Sequence, residues 1–291
     1  MEVKISSRQS YSFGWLPDFP DYRDYTRNTR EVQAILKSAH RTDKPATAVD
    51  LREWCSPVEN QGNLGSCTAH AGVGLIEYYE RKSFGRHLDA SRLFLYKVTR
   101  NLMKVKGDTG AFIRSTIGAM VLFGVPPEEY WPYTDESDAF DREPPAFCYA
   151  FAQNYQTILY FRHDATNLTT AEVLFSLKSY LSQGHPVIFG FTVYSSIEQA
   201  ETTGKIPLPS LGEKILGGHA VLAVGYDDRV PIKNKYGGQE SKGALLIRNS
   251  WGRNWGEEGY GWLPYDYVLR ELAMDFWSVL KKKWIDTGQF Q

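Results

Sequence analysis

Cysteine is scarce in this chain of 291 residues. Only Cys55, Cys67 and Cys148 are present. An odd count of three excludes a disulfide-stapled scaffold and leaves at least one thiol free in a monomer. Sequence alone does not bring Cys55 and Cys148 within bonding distance of each other. Long hydrophobic runs are absent too, so nothing has the length needed to cross a bilayer, and no membrane is expected. Charge of one sign is not in excess. The formal net charge of −1 gives no electrostatic reason to expect nucleic acid. The opening residues, MEVKISSRQS, lack the apolar core of a secretory signal, which leaves the cytoplasm or a non-standard export route. There is no internal repeat and no glycine-rich phosphate loop of the usual spacing. What is present is apolar material, 42% of the residues, enough for a packed core shared by two lobes.

Along the chain, YSFGWLPDFPDYRDY (residues 11–25) shows neither helical nor strand periodicity and reads as an extended segment that needs a surface to lie on. A short helix or turn is expected over residues 30–40. From Ser66 the pattern is helical, with Ala69, Val73 and Ile76 on one stripe, Ser66 as N-cap, and Arg81 and Lys82 at the end. Further helices are expected over residues 91–103, 111–124 and 171–183, and residues 135–147 read as a charged surface loop. Beyond Pro186 the style changes to short β-branched and aromatic runs separated by Gly or Asp turns. Helices first and strands later indicate an α+β fold of two lobes.

The chemistry starts at NQGNLGSCTAHAG (residues 60–72). A thiol at a helix N-terminus meets unsatisfied N–H groups and the positive end of the dipole, which favour the thiolate. A lone cysteine is equally at home as core filler. A nucleophile needs a base, and His219 in LGGHAVLAVGYDD opens an apolar strand behind two glycines. His70 is a rival base, three residues from Cys67, but its side chain projects from an adjoining helix face. A zinc reading of Cys67 and His70 lacks a second ligand pair. Asn249, in IRNSWGRNWGEEGYGW, is a group that can orient an imidazole, although an asparagine there is also an ordinary turn residue. Gln61 and the Cys67 backbone N–H can supply two oxyanion donors.

QGNLGSCTA, GGHAVLAVGY and RNSWGRNWGEEGYGW, in that order, resemble the three signature blocks of papain-like cysteine peptidases over residues 48–280. The separation of Cys67 and His219 is a little wider than the roughly 130–150 residues usual in the family. The resemblance implies a two-lobed fold, with a helical left lobe, an antiparallel β-barrel-like right lobe and an active-site cleft between them. It implies a cysteine endopeptidase acting through a thiolate–imidazolium pair and an acyl-enzyme, with no metal or organic cofactor and with peptides or proteins as substrates. In that reading Cys67 is the nucleophile, His219 the base, Asn249 its orienter and Gln61 the oxyanion donor. Trp251 shields the His219–Asn249 contact. Gly110, Thr109, Ala111 and Gly218 line the substrate site, and either Met274 or Asp275 forms a pocket floor.

Leu64 and Thr68 depart from the family, replacing its usual cysteine and tryptophan. GWLPDFPDYRDY is similar to leaders of bacterial papain-like peptidases. The expected organisation is therefore a leader over residues 1–45, zymogen-like and partly covering the cleft, followed by a peptidase domain over residues 46–291. The rival readings are a Cys–His acyl transferase or amidase, and a non-catalytic peptide-binding protein on the same fold.

Overall fold

The structure is a computed structural model, and it describes residues 11–36, 45–153, 155–238 and 240–284. After the short helix α1 (Arg30–Leu36) and strand β1 (Ala48–Asp50), the left lobe is built from α2 (Cys67–Phe84), α3 (Arg92–Met103), α4 (Ile113–Leu122) and α5 (Ala146–Ala152). The right lobe holds β2 (Tyr155–Arg162), α6 (Thr170–Ser182), β3 (Val187–Tyr194), β4 (Ile215–Ile232), β5 (Ser241–Arg248), β6 (Tyr260–Pro264), α7 (Tyr265–Leu269) and β7 (Ala273–Trp284).

The strands form one antiparallel sheet in the order β2-β7-β3-β4-β5-β6, with β1 on β4. Among the described residues the sheet is open at β2 and β6, so the expected barrel-like lobe is not a closed barrel. Residues 155–162 are a strand although the sequence pattern singles out no strand there. They sit between two helices, and their partner β7 lies at the far end of the chain. Strand β4 runs on past Asp228 to Ile232, which pairs with Ser241. Cys55 and Cys148 are both free and buried, in different apolar clusters, so the pairing left open above does not form.

Helix α2 is the seam of the molecule. Every residue from Cys67 to Tyr78 is buried, as expected of a helix packed on all sides. One face joins α3 and α4 through Ala69, Val73 and Ile76. The opposite face joins Ile188, Ala220, Leu222 and Leu246 of the sheet through Cys67, Ala71 and Leu75. Its two buried carboxylates are answered locally. Glu77 accepts from Ala90 N at 3.1 Å and from Ser56 Oγ, and Glu80 accepts from Leu88 N at 2.7 Å. Ser66 stands at the N-cap position without capping, because its hydroxyl is engaged by Tyr133 and His70. Two other helices, α3 and α6, start with side-chain caps. Ser91 Oγ accepts from Phe94 N at 3.1 Å, and Thr169 with Glu172 forms a capping box on α6.

Candidate active site

Packing α2 against β4 brings the first residue of the helix to the histidine of the strand. Cys67 Sγ accepts from Ala220 N at 3.4 Å, and both Cys67 and His219 are fully buried. His219 Nε2 lies 2.7 Å from Asn249 Oδ1, which also accepts from Ser250 N at 2.8 Å. An amide oxygen only accepts, so Nε2 carries the proton and Nδ1 presents its lone pair. Nδ1 is buried and has no hydrogen-bond partner among the described residues. Trp251 stacks on the imidazole with ring centroids 4.5 Å apart and covers one of its faces.

Gln61 is held from both ends. Its Oε1 accepts from Ser250 Oγ at 2.5 Å, which directs Nε2 into the cleft. There Nε2 donates to Leu64 O at 2.7 Å and to Ser12 O at 3.1 Å. Ser250 was not foreseen as a site residue, and its only sequence signal is its place directly after Asn249. His70 is turned away. Its Nδ1 lies 3.1 Å from Ser66 O, and its ring meets Tyr133 edge-on.

The cleft is filled by residues of the same chain. Tyr11 stacks on Trp251 at 4.3 Å, and Phe13 meets both His219 and Trp251 edge-on. Gly14 O accepts from Ala111 N at 2.7 Å, Trp15 N donates to Gly218 O at 3.0 Å, and Leu16 N donates to Ala111 O at 3.1 Å. Trp15 and Ala111 thus form a parallel bridge. Beyond the cleft Asp18 and Asp24 pair with Arg114 at 3.0 and 2.8 Å, and Arg162 N donates to Tyr25 O at 2.7 Å. Gly14 has to be glycine for this path. An added Cβ would stand 1.8 Å from Gly65 O. Of the residues expected to line the site, Gly110, Ala111, Gly218 and Trp251 are all at this segment, with an added Cβ on Gly110 falling 2.3 Å from Gly14 O. Thr109 is not brought in. It is exposed and its hydroxyl donates to Gly110 O. Asp108 next to it is the structural residue, accepting from Gly65 N at 2.9 Å and tying the nucleophile loop to the left lobe.

Burial dominates the electrostatics. It pushes the Cys67 thiol up to about 11, against the backbone N–H groups of Ala220 and Gly14, which favour the thiolate. It pushes His219 down to about 4, against the Asn249 hydrogen bond. Both groups are therefore held neutral under the covering segment.

A match to the papain family cysteine protease domain spans residues 45–271, well over half of the sequence. The chain belongs to the papain family of cysteine proteases. Papain-family relatives include an uncharacterised peptidase C1-like protein of Acanthamoeba polyphaga mimivirus, 35% identical over 237 residues that cover 79% of this chain and 71% of that one. A thiol protease aleurain-like protein of Arabidopsis thaliana is 27% identical, with 78% of this chain and 58% of the relative covered. The chain therefore spans less than two thirds of that plant protein. Among solved structures, xylellain, a cysteine protease from Xylella fastidiosa, superposes with a TM-score of 0.72 at 35% identity, covering 95% of this chain and 98% of the other.

Proposed function

We propose that this papain-family protein is a cysteine peptidase with Cys67 as nucleophile and His219 Nδ1 as base, and that residues 1–45 are a leader that covers the site of a peptidase domain over residues 46–291. The observation that carries the catalytic assignment is the Nδ1 of His219, unpartnered among the described residues, its tautomer fixed by Asn249 Oδ1 and its strand packed on the helix that starts with Cys67.

In the reaction, the Cys67 proton passes to His219 Nδ1 as Sγ attacks the scissile carbonyl. Gln61 Nε2 and the Cys67 backbone N–H receive the oxyanion. The C–N bond breaks as His219 returns the proton to the leaving amine. Water then attacks the thioester, giving its proton to His219, and the acid leaves as the thiol is restored.

Three observations support the leader's role. Ser12 O accepts from the Gln61 N–H that an oxyanion would use. With the leader seated, both Cys67 and His219 are fully buried, which favours the neutral thiol and imidazole. Its direction is the reverse of a substrate's. The leaving amine of a substrate must lie by His219, on the Trp251 side, so its acyl part lies by Ala111. The leader passes Trp251 first, at Tyr11, and Ala111 second, at Trp15. A reversed chain does not present its carbonyl to Sγ as a substrate does. The family match starting at residue 45 is consistent with the proposed boundary.

Turnover of a fluorogenic peptide by the Trp15→Ala chain tests the reading. Activity is expected there, and it is expected to disappear when Cys67→Ser is added. Activity that survives Cys67→Ser contradicts it, and transfer to an added amine in place of hydrolysis would favour acyl transferase chemistry.

A further inference from the structure

The pocket that receives Trp15 is built for more than apolar bulk. The side chain is almost wholly buried among Ile188, Ala220 and Trp277. The ring lies flat on Gly190, where an added Cβ would fall 1.9 Å from Cε2, 2.2 Å from Cδ2 and 2.4 Å from Nε1. On another side an added Cβ at Gly218 would fall 2.9 Å from Cε3. The result is a slot shaped to a fused, planar ring.

At its floor the indole Nε1 donates to Asp275 Oδ2 at 3.1 Å. Asp275 reaches this position through an unusual backbone. Its φ is 65°, in the left-handed region, at a register shift where β7 passes from Trp277 opposite Ile188 to Met274 opposite Gly190. Asp164 holds the bulge open by accepting from Asp275 N at 2.8 Å and Phe276 N at 3.0 Å.

The carboxylate has one acceptor to spare. Oδ1 is taken by Trp277 Nε1 at 2.7 Å and by Arg162 Nη1 at 3.3 Å, whereas Trp15 is the partner seen at Oδ2. Once the leader's Asp18 and Asp24, which pair with Arg114 and flank Arg162, are displaced by a substrate, the surroundings are balanced in charge. Arg162 and Arg114 both lie over the Trp277 ring, and Arg162 pairs with Asp164 and Asp275. A lysine or arginine entering the slot would add an uncompensated charge to a desolvated site. A phenylalanine would leave Oδ2 unpaired. A tryptophan meets both requirements with one neutral N–H.

We infer that this pocket selects tryptophan in the substrate, on the acyl side one residue removed from the scissile carbonyl, and that Asp275 is the specificity-determining residue. The inference rests on the peptidase reading, and Trp15 is then the leader's copy of the preferred side chain, presented on a reversed backbone.

The test uses the full chain carrying Trp15→Ala and a set of fluorogenic peptides that differ only at that position, with Trp, Phe, Tyr, Leu, Val or Arg. The expected kcat/KM for the Trp peptide exceeds those for the Phe and Arg peptides by at least about ten-fold. Asp275→Asn is expected to bring the Trp-to-Phe ratio towards one. Because that buried position is coupled to Arg162, Gly190→Ala is a second variant, expected to lower the Trp-to-Val ratio by at least about ten-fold. Preference for Arg or Leu over Trp, or a Trp-to-Val ratio unmoved by Gly190→Ala, overturns the inference while leaving the peptidase reading standing. Failure to cut any peptide overturns the peptidase reading itself, and this inference with it.

Discussion

Replacing Gly14 with alanine should activate the full chain. The new Cβ would stand 1.8 Å from Gly65 O and 2.3 Å from Gly65 C, where ordinary contact begins near 3.4 Å. Both opposing atoms are backbone, so no rotamer change relieves the clash. The leader has to retreat by more than an ångström. That breaks the Ala111 N–Gly14 O bond of 2.7 Å, the Trp15 N–Gly218 O bond of 3.0 Å and the Gln61 Nε2–Ser12 O bond of 3.1 Å. At about 1 kcal/mol net for each, the seated state loses about 3 kcal/mol, roughly a hundred-fold in the balance between covered and open enzyme. Trp15→Ala should do at least as much, since emptying a buried tryptophan site costs about 3–5 kcal/mol. The assay is the second-order rate at which a thiol-peptidase epoxide labels Cys67. A rise of about a hundred-fold in Gly14→Ala is expected, levelling off once the open form dominates. A wild-type labelling rate in both variants would refute the claim that residues 11–16 close the site.

Other outcomes follow from the same contacts. Iodoacetamide alkylation of Cys67 in the wild-type chain should rise only towards pH 11, because burial raises the thiol that far, and in Trp15→Ala its onset should move down by several pH units. An unchanged onset would show that the leader does not control the thiol. In the Trp15→Ala background, Gln61→Ala should lower kcat by about 10²–10³-fold, the usual cost of one oxyanion donor, and full activity would remove Gln61 from the site. Acid should destabilise the fold through its buried histidines. His163, between Ser176 and Ser278, is held down at about 3 by burial, and His70 and His185 are lowered in the same way to about 3 and about 4. A folded-state value below the ordinary 6.5 means that the unfolded chain takes up protons first, so this stability is complete above pH 6.5 and is lost as the pH falls towards the folded values. At pH 5 the loss is about 2 kcal/mol per histidine. His163→Gln should reduce by about that amount the difference in urea stability between pH 7 and pH 5, and an unaltered difference would contradict the assignment.

The residues proposed to react each sit in a block of sequence with its own local signal. Cys67 stands at a helix start, His219 at a strand mouth after two glycines, and Asn249 at a strand end. Helices α2, α3, α4 and α6 were expected from the sequence, α2 from its apolar spacing. The rest depends on partners far apart in the chain, which no window of sequence displays. Strand β2 exists because β7 pairs with it. Asp275 becomes a pocket floor through a bulge held by Asp164, more than a hundred residues earlier. Ser250 matters because it orients Gln61. Residues 11–25 were readable as aperiodic and in need of a surface, but the identity of that surface is set by Gly65, Gly190 and Gly218. Thr109 lies outside the leader's contacts because the loop directs it outward and sets Asp108 against Gly65.

The most direct test of the central claim is epoxide labelling of the full-length wild-type and Trp15→Ala chains, followed by peptide mapping. Label confined to Cys67, faster in Trp15→Ala and lost when His219→Ala is added, is the predicted result. Equal label on Cys55, Cys67 and Cys148, or label on Cys67 that is indifferent to His219, would contradict it.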